Sequence, residues 1–132
     1  MHELTRAVEK AKRVYLIGNG GSYANAVHIC NDFLAVGIKC YTLDPASLTA
    51  SANDYGYEMV FERWINVVGE RGDLLIALSG SGKSPNILRA IAAAELIGMT
   101  VYRMFGFGKN MQAAEEEQIV TGHIVMKEYY AN

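Results

Sequence analysis

The sequence predicts an α/β fold, a three-layer sandwich in which a parallel sheet of four to five strands carries helices on both faces. Apolar runs alternate with helix-like stretches, which is the β-α-β-α order of flavodoxin-like and Rossmann-like sheets. The runs at 14–17 and 74–78 lack polar alternation, as expected of strands covered on both sides. Two turns rich in glycine and hydroxyl groups, GNGGS at 18–22 and SGSGKS at 79–84, each follow such a run and open a helical stretch.

The first third of the chain is predicted as helix, strand, helix and strand. Residues 3–12 form a short amphipathic pattern, and 14–17 is an apolar strand. Apolar residues then recur near the helical spacing over 22–36, and Gly37 closes that helix. The second strand is predicted at 38–43.

The middle of the chain continues the same order. The small, polar segment 45–56 is predicted as a loop or a short helix, and 57–68 as a helix. A strongly apolar third strand follows at 74–78. The alanine-rich segment 86–97 is predicted as a helix and 100–105 as the fourth strand.

The final segment has two interpretations. Residues 112–130 fit one helix, with apolar residues loosely on one side. Alternatively, 118–125 contains β-branched residues and could form a fifth strand. The helix is the favoured interpretation.

Composition narrows the class of protein. The 132 residues are predicted to form one domain, 1–132, and 51% hydrophobic and 20% charged residues are ordinary for a globular chain. The net charge of −2 and the absence of a basic stripe argue against a nucleic-acid partner. No apolar run reaches the ~18 residues of a membrane span, so no membrane partner and a cytoplasmic location are expected. Cys30 and Cys40 are predicted to be buried thiols.

The two glycine-rich turns predict an anion pocket without a nucleotide cofactor. Backbone N–H groups at a helix N-terminus attract anions, and serine hydroxyls can add hydrogen bonds to phosphate. A P-loop requires glycine where Ala77 stands, and a dinucleotide fingerprint requires its third glycine where Tyr23 stands. A small phosphorylated ligand is therefore predicted.

His28 and Asp32 lie four residues apart in the helix that follows the first turn, so they share one helix face. Such a pair can bind a divalent metal or transfer protons. It can also be an ordinary surface hydrogen bond.

Several motifs together resemble one family. They are GNGGS at 18–22 followed by His28, ANDYG at 52–56, the GxxGD pattern at 69–73 and LSGSGKSPN at 78–86. In this order they resemble the sugar isomerase (SIS) domain superfamily and, within it, the phosphoheptose isomerase family. The resemblance runs from about residue 14 to residue 105 and implies a parallel sheet with active sites between subunits.

The resemblance also implies site residues. The serine turn would bind the sugar phosphate and the other polar residues the sugar chain; this substrate-binding set is Asn19, Gly20, Ser22, Asn53, Asp54, Ser79, Gly80, Ser81 and Ser84. The family's catalytic glutamate falls on Asp32, and the histidine of its last helix on His123. The ligand set of the zinc-binding members falls on His28, Asp32, Glu115 and His123. Residues eight apart on one straight helix are separated by about 12 Å, so Glu115 is expected to reach a metal with His123 only from another subunit, or to be replaced by Glu116.

The implied activity is the aldose–ketose isomerisation of sedoheptulose 7-phosphate to D-glycero-D-manno-heptose 7-phosphate through an enediolate, an early step toward lipopolysaccharide. Asp32 and His123 are the candidate proton-transfer groups, and one zinc ion per site is the candidate cofactor. A homo-oligomer, dimer or tetramer, is the expected assembly. Two alternatives remain at this point: a non-catalytic module that binds a sugar phosphate or a replication-initiator protein, and an isomerase of another sugar phosphate.

Overall fold

A computed structural model, which describes residues 1–106 and 109–131, confirms the predicted α/β sandwich. Within those residues one parallel sheet has four strands in the order β2-β1-β3-β4. The strands are β1 (Val14–Ile17), β2 (Cys40–Thr42), β3 (Leu74–Ser79) and β4 (Thr100–Phe105). The chain moves from β1 to one side and then crosses back to β3, so the strand order reverses between β1 and β3.

Helices cover both faces of the sheet. They are α1 (Glu3–Lys10), α2 (Gly21–Ala35), α3 (Pro45–Tyr55), α4 (Val60–Val68), α5 (Pro85–Ile97) and α6 (Met111–Ala131), with one 3-10 turn at Tyr57–Met59. One core contains side chains of α1, α2 and α6, and the other contains side chains of α3, α4 and α5. None of the described helices combines the length and apolarity that crossing a membrane would need.

The central strands are apolar over Val14–Ile17 and over residues 74–78 because both of their faces are buried. Leu16 and Ile76 point into the core that contains Phe33 of α2. Their neighbours Ile17 and Ala77 point into the opposite core. Successive strand residues face opposite sides, so a strand between two helical layers has no solvent-facing position for a polar residue.

One open prediction is decided and one strand boundary needs correction. The segment 45–56, predicted as a loop or a short helix, forms the 11-residue helix α3, so the helix alternative is confirmed. The Asp44 carboxylate accepts the Ser47 N–H at 2.9 Å and Pro45 occupies the first turn, two features that start a helix. The second strand is shorter than 38–43 because the Ile38 N–H bonds back to the Phe33 carbonyl at the end of α2.

The C-terminal segment is a helix, as favoured, and not a strand. α6 packs along α2, where Gly122 permits close approach. A Cβ atom at Gly122 would lie 2.8 Å from Cγ1 of the buried Ile29. This contact sets the spacing between the two helices that carry the predicted histidines.

Both cysteines are buried and free, as predicted. A hydrogen bond with the Cys30 thiol, together with burial, raises the pKa of Cys40 well above its ordinary value. Cys40 is therefore a neutral structural thiol at the start of β2.

Glu128 of α6 joins the two ends of the chain, and its replacement by Gln is expected to reduce stability at neutral pH. The His2 N–H and the Thr5 hydroxyl donate to its carboxylate at 2.9 and 3.0 Å. Chiefly the His2 hydrogen bond, and then that of Thr5, hold the pKa of Glu128 below its ordinary 4.5. A lowered carboxyl pKa adds stability above the unfolded-state value, and this stability is lost as pH falls through the folded-state pKa.

Urea unfolding at pH 7 and pH 3 measures this effect. The Glu128→Gln variant should lose less stability between the two pH values than the parent, whereas the exposed α1 control Glu9→Gln should behave as the parent does. The same acid loss in Glu128→Gln and parent would contradict the assignment.

Candidate active site

The two glycine-rich turns lie side by side at the carboxyl edge of the sheet, because β1 and β3 are adjacent and parallel. Ligands of open α/β sheets bind at the point where the strand order reverses. A cleft of about 290 Å³ opens at this point. Its lining residues are Asn19, Gly20, Gly21, Ser22, Leu78, Ser79, Gly80, Ser81, Ser84, Met111 and Glu115.

The serine turn is organised for an anion. The Ser79 and Ser81 hydroxyl oxygens accept the Gly82 and Lys83 N–H groups at 3.0 and 3.1 Å, which leaves their O–H protons to donate elsewhere. Ser84 precedes the first turn of the 13-residue α5, and its side chain makes no capping hydrogen bond. Three hydroxyl groups and a helix N-terminus therefore face one space, as a phosphate group requires. Lys83 is exposed and does not line the cleft.

A pair of asparagines ties the two turns together. Asn19 and Asn86 exchange two side-chain hydrogen bonds at 2.9 and 2.8 Å, and the Tyr57 hydroxyl donates to Asn19 Oδ1 at 2.7 Å. Asn86 is buried. Sequence reasoning predicted Asn19 as a sugar ligand but missed the roles of Asn86 and Tyr57. The pairing fixes the distance between the two turns.

Helix α6 closes the cleft from one side. Met111 contacts Gly80 of the second turn, and Glu115 lies against Gly21 of the first. One turn further, the buried Gln118 donates to the Ser22 hydroxyl at 3.0 Å and accepts from Asn25 at 2.8 Å. These α6 residues recur at helical spacing, so one face of the helix contacts both turns.

A second polar group lies further along α2 and α6. Nε2 of His28 is 3.4 Å from Oδ2 of Asp32, and Nε2 of His123 is 3.7 Å from the same oxygen. One ligand atom from each residue fits within a 4.8 Å group. Two imidazoles and a carboxylate suit a divalent metal with an open coordination position. The structure thus brings together three of the four predicted metal ligands, while Glu115 lies at the cleft.

Comparison with known proteins decides the family. Residues 1–106 match the SIS domain family. A phosphoheptose isomerase of Burkholderia pseudomallei (strain 1710b) is 37% identical over 139 residues, which cover 91% of this chain and 71% of the relative. The chain belongs to the SIS domain family.

Other phosphoheptose isomerases support the same placement of this SIS domain chain. That of Desulfovibrio desulfuricans is 32% identical over 153 residues, covering 96% of this chain and 73% of the relative. The structure of phosphoheptose isomerase GmhA from Neisseria gonorrhoeae matches the fold with a TM-score of 0.89 at 24% identity, covering 98% of this chain and 82% of that one. The resemblance seen in the motifs is confirmed.

Two predicted substrate residues of the SIS domain lie apart from the cleft lining. Asn53 and Asp54 are exposed at the end of α3, where the Asn53 amide donates to the Asp54 carboxylate at 3.2 Å. In the described part of the chain, the side chains of these two residues have no other hydrogen-bond partner. Their contact with a sugar stays a prediction. The pair Asn19 and Asn86 forms the direct link between the two turns. Tyr57 bonds to Asn19, and Gln118 of α6 bonds to Ser22 of the first turn.

Proposed function

We propose that this SIS domain chain is an aldose–ketose isomerase that converts sedoheptulose 7-phosphate to D-glycero-D-manno-heptose 7-phosphate. The observation that carries the proposal is the pairing of an anion-binding serine turn with a histidine–aspartate–histidine group on the two helices beside it. The relatives from Burkholderia pseudomallei and Desulfovibrio desulfuricans are named phosphoheptose isomerases, which supports the same activity. Heptose formation for lipopolysaccharide is the corresponding physiological role, and the cytoplasm its expected location.

The phosphate group is proposed to contribute most of the binding energy of the substrate. Ser79, Ser81 and Ser84 donate their hydroxyl protons to phosphate oxygens, and the N-terminus of α5 adds its positive dipole end. Since the phosphate lies at the opposite end of the sugar from the reacting carbons, its binding energy serves to position them. Asn19, Gly20 and Ser22 line the path of the sugar chain, with Asn53 and Asp54 as further proposed contacts.

The group of His28, Asp32 and His123, here called the triad, is proposed to act at the reacting end. Zinc is the proposed metal for the triad, where it would polarise the carbonyl and hydroxyl oxygens of the substrate. His123 and Asp32 are the proposed proton-transfer groups, because an imidazole and a carboxylate can each accept a proton and return it. Glu115 and His123 of one straight helix lie about 12 Å apart. Glu115 is therefore proposed to bind the metal only at the triad of a neighbouring subunit.

A homo-oligomer, dimer or tetramer, is proposed to complete the site. His28 lies about 10 Å along α2 from Gly21, which lines the cleft. A heptose phosphate bound at the serine turn must therefore extend as far as the triad of its own chain, or contact the triad of a neighbouring subunit. The packed pair α2 and α6 also exposes apolar side chains, namely Val27, Leu34 and Val120. Association through this surface would bury them and bring a neighbouring triad toward the cleft.

A substrate panel tests the proposed function. Protein supplied with Zn²⁺ should form aldose phosphate from sedoheptulose 7-phosphate and leave unphosphorylated sedoheptulose unchanged. Turnover of only a pentose or hexose phosphate would assign a different substrate. Saturable binding of the phosphosugars without turnover of any of them would overturn the enzymatic proposal and leave a binding module.

A further inference from the structure

Two amide side chains connect helix α6 to a serine hydroxyl of the cleft. The Asn25 NH2 group donates to the Glu115 carbonyl oxygen at 3.0 Å and to Oε1 of Gln118 at 2.8 Å. Nε2 of Gln118 then donates to the Ser22 hydroxyl oxygen at 3.0 Å. Asn25 and Gln118 are here called the amide chain. Ser22 lines the cleft, whereas Gln118 lies outside its lining and is only 3% exposed.

The backbone carbonyl of Glu115 fixes the direction of every bond in the amide chain. A carbonyl oxygen only accepts, so the Asn25 group that faces it is the NH2 group. That group gives its second proton to Gln118, which must therefore turn its carbonyl oxygen toward Asn25 and its own NH2 group toward Ser22. Turning either amide round would bring two donors or two acceptors into contact. The Ser22 oxygen is accordingly held as an acceptor on the side of Gln118.

The amide chain thereby determines how Ser22 meets a ligand. A hydroxyl group has one proton, and when its oxygen accepts from Gln118 that proton remains to be donated. Within residues 1–106 and 109–131 no atom accepts the Ser22 proton. Ser22 is only 5% exposed, and a buried donor without an acceptor costs free energy that a ligand oxygen would recover. Ser22 is therefore prepared as a donor toward the cleft.

We propose that Asn25 and Gln118 are positioning residues that hold the Ser22 hydroxyl as a hydrogen-bond donor to an oxygen of the sugar chain, an inference that rests on the sugar-phosphate ligand of the proposed function. The serine turn takes the phosphate group, and Ser22 belongs to the other turn, so the oxygen that it meets is one of the sugar chain. A hydroxyl or carbonyl oxygen accepts this bond. A deoxy analogue without that oxygen leaves the buried donor unpaired and is discriminated against.

The Asn25→Asp variant tests the direction of the amide chain, because it keeps the shape of the side chain and removes both of its donors. Gln118 must then turn its NH2 group toward the new carboxylate, so that its carbonyl oxygen takes the Ser22 proton. At about 0.15 M salt, which screens the added charge, the Kd for sedoheptulose 7-phosphate should weaken by about tenfold, as in Ser22→Ala. The Kd for inorganic phosphate, which binds the serine turn, should stay within about threefold of the parent. Adding Asn25→Asp to Ser22→Ala should weaken phosphosugar binding no further.

The matched control is Asn66→Asp, the same change at an exposed position of α4, which should bind both ligands as the parent does. Parental phosphosugar affinity in Asn25→Asp or in Ser22→Ala would overturn the inference. Equal losses of affinity for the phosphosugar and for inorganic phosphate would overturn it too, since they would show a merely structural role. A parent that binds the phosphosugar without isomerising it would refute the proposed enzymatic activity alone, because the amide chain is tested by binding. A parent that binds no phosphosugar would refute both.

Discussion

Replacing His123 with Gln is expected to abolish isomerisation while leaving phosphosugar binding intact. The imidazole of His123 lies 3.7 Å from Asp32 and beside the His28 ring, and about half of its side chain is exposed. Gln keeps a similar polar volume but cannot take up or release a proton at neutral pH. We expect kcat to fall by about 10²-fold or more, whereas the Kd for sedoheptulose 7-phosphate, measured by titration calorimetry, should change little.

The matched control is His2→Asn. His2 lies at the start of α1, where its Nδ1 accepts the Leu4 N–H, and Asn can cap a helix in the same way. This variant should retain the parental kcat. Parental turnover in His123→Gln would remove His123 from the mechanism, and a loss of binding equal to the loss of turnover would show a structural role instead.

Replacing Asn86 with Ala is expected to give the largest loss of stability at the site. It deletes both hydrogen bonds with Asn19, and Asn86 is only 2% exposed. Removing one partner of a buried pair also leaves the other polar group without its partner. We expect the free energy of unfolding to fall by about 2–4 kcal/mol, and the affinity for inorganic phosphate and for the phosphosugar to weaken because the two turns are no longer held together.

Asn66→Ala, at an exposed position of α4, is the matched control and should unfold like the parent. Urea unfolding and phosphate titration of the three proteins provide the comparison. A change in Asn86→Ala no larger than that of the control would show that the two turns hold their positions independently.

The layers of the fold could be predicted because local patterns determine them. Unalternating apolar runs indicated β1 and β3, and the glycine-rich turns marked the starts of α2 and α5. The helix α3 was harder to predict, because none of its residues is buried and its sequence therefore lacks an apolar stripe. Its start signal, Asp44 followed by Pro45, was nevertheless present in the sequence, and a stricter use of capping rules would have found the helix.

The site could be predicted only where chemistry follows from residues close in sequence. The serine turn and the pair His28 and Asp32 belong to this class. The bond between Asn19 and Asn86 joins residues 67 positions apart, and that between Gln118 and Ser22 joins residues 96 apart. Such pairs depend on which parallel strands are neighbours and on how α6 packs against the sheet. Neither can be predicted from a local sequence pattern.

Glu115 illustrates the same limit. In the sequence it is one of three consecutive glutamates, and the family resemblance assigned it to a metal. The packing of α6 against Gly21 places it in the cleft, since Met111, Glu115 and Gln118 follow one face of the helix. Its separation from His123 within one chain was expected from helix geometry. Its role as a metal ligand stays a prediction that needs another subunit.

The most direct test of the central proposal is a time course of sedoheptulose 7-phosphate with the zinc-supplied protein, followed by proton NMR. If the serine turn and the triad form an isomerase site, signals of the aldose phosphate should grow at the expense of the ketose until a constant ratio is reached. The rate should be proportional to the protein concentration. A ketose that remains unchanged, in the presence of folded protein that binds it, would contradict the proposed activity.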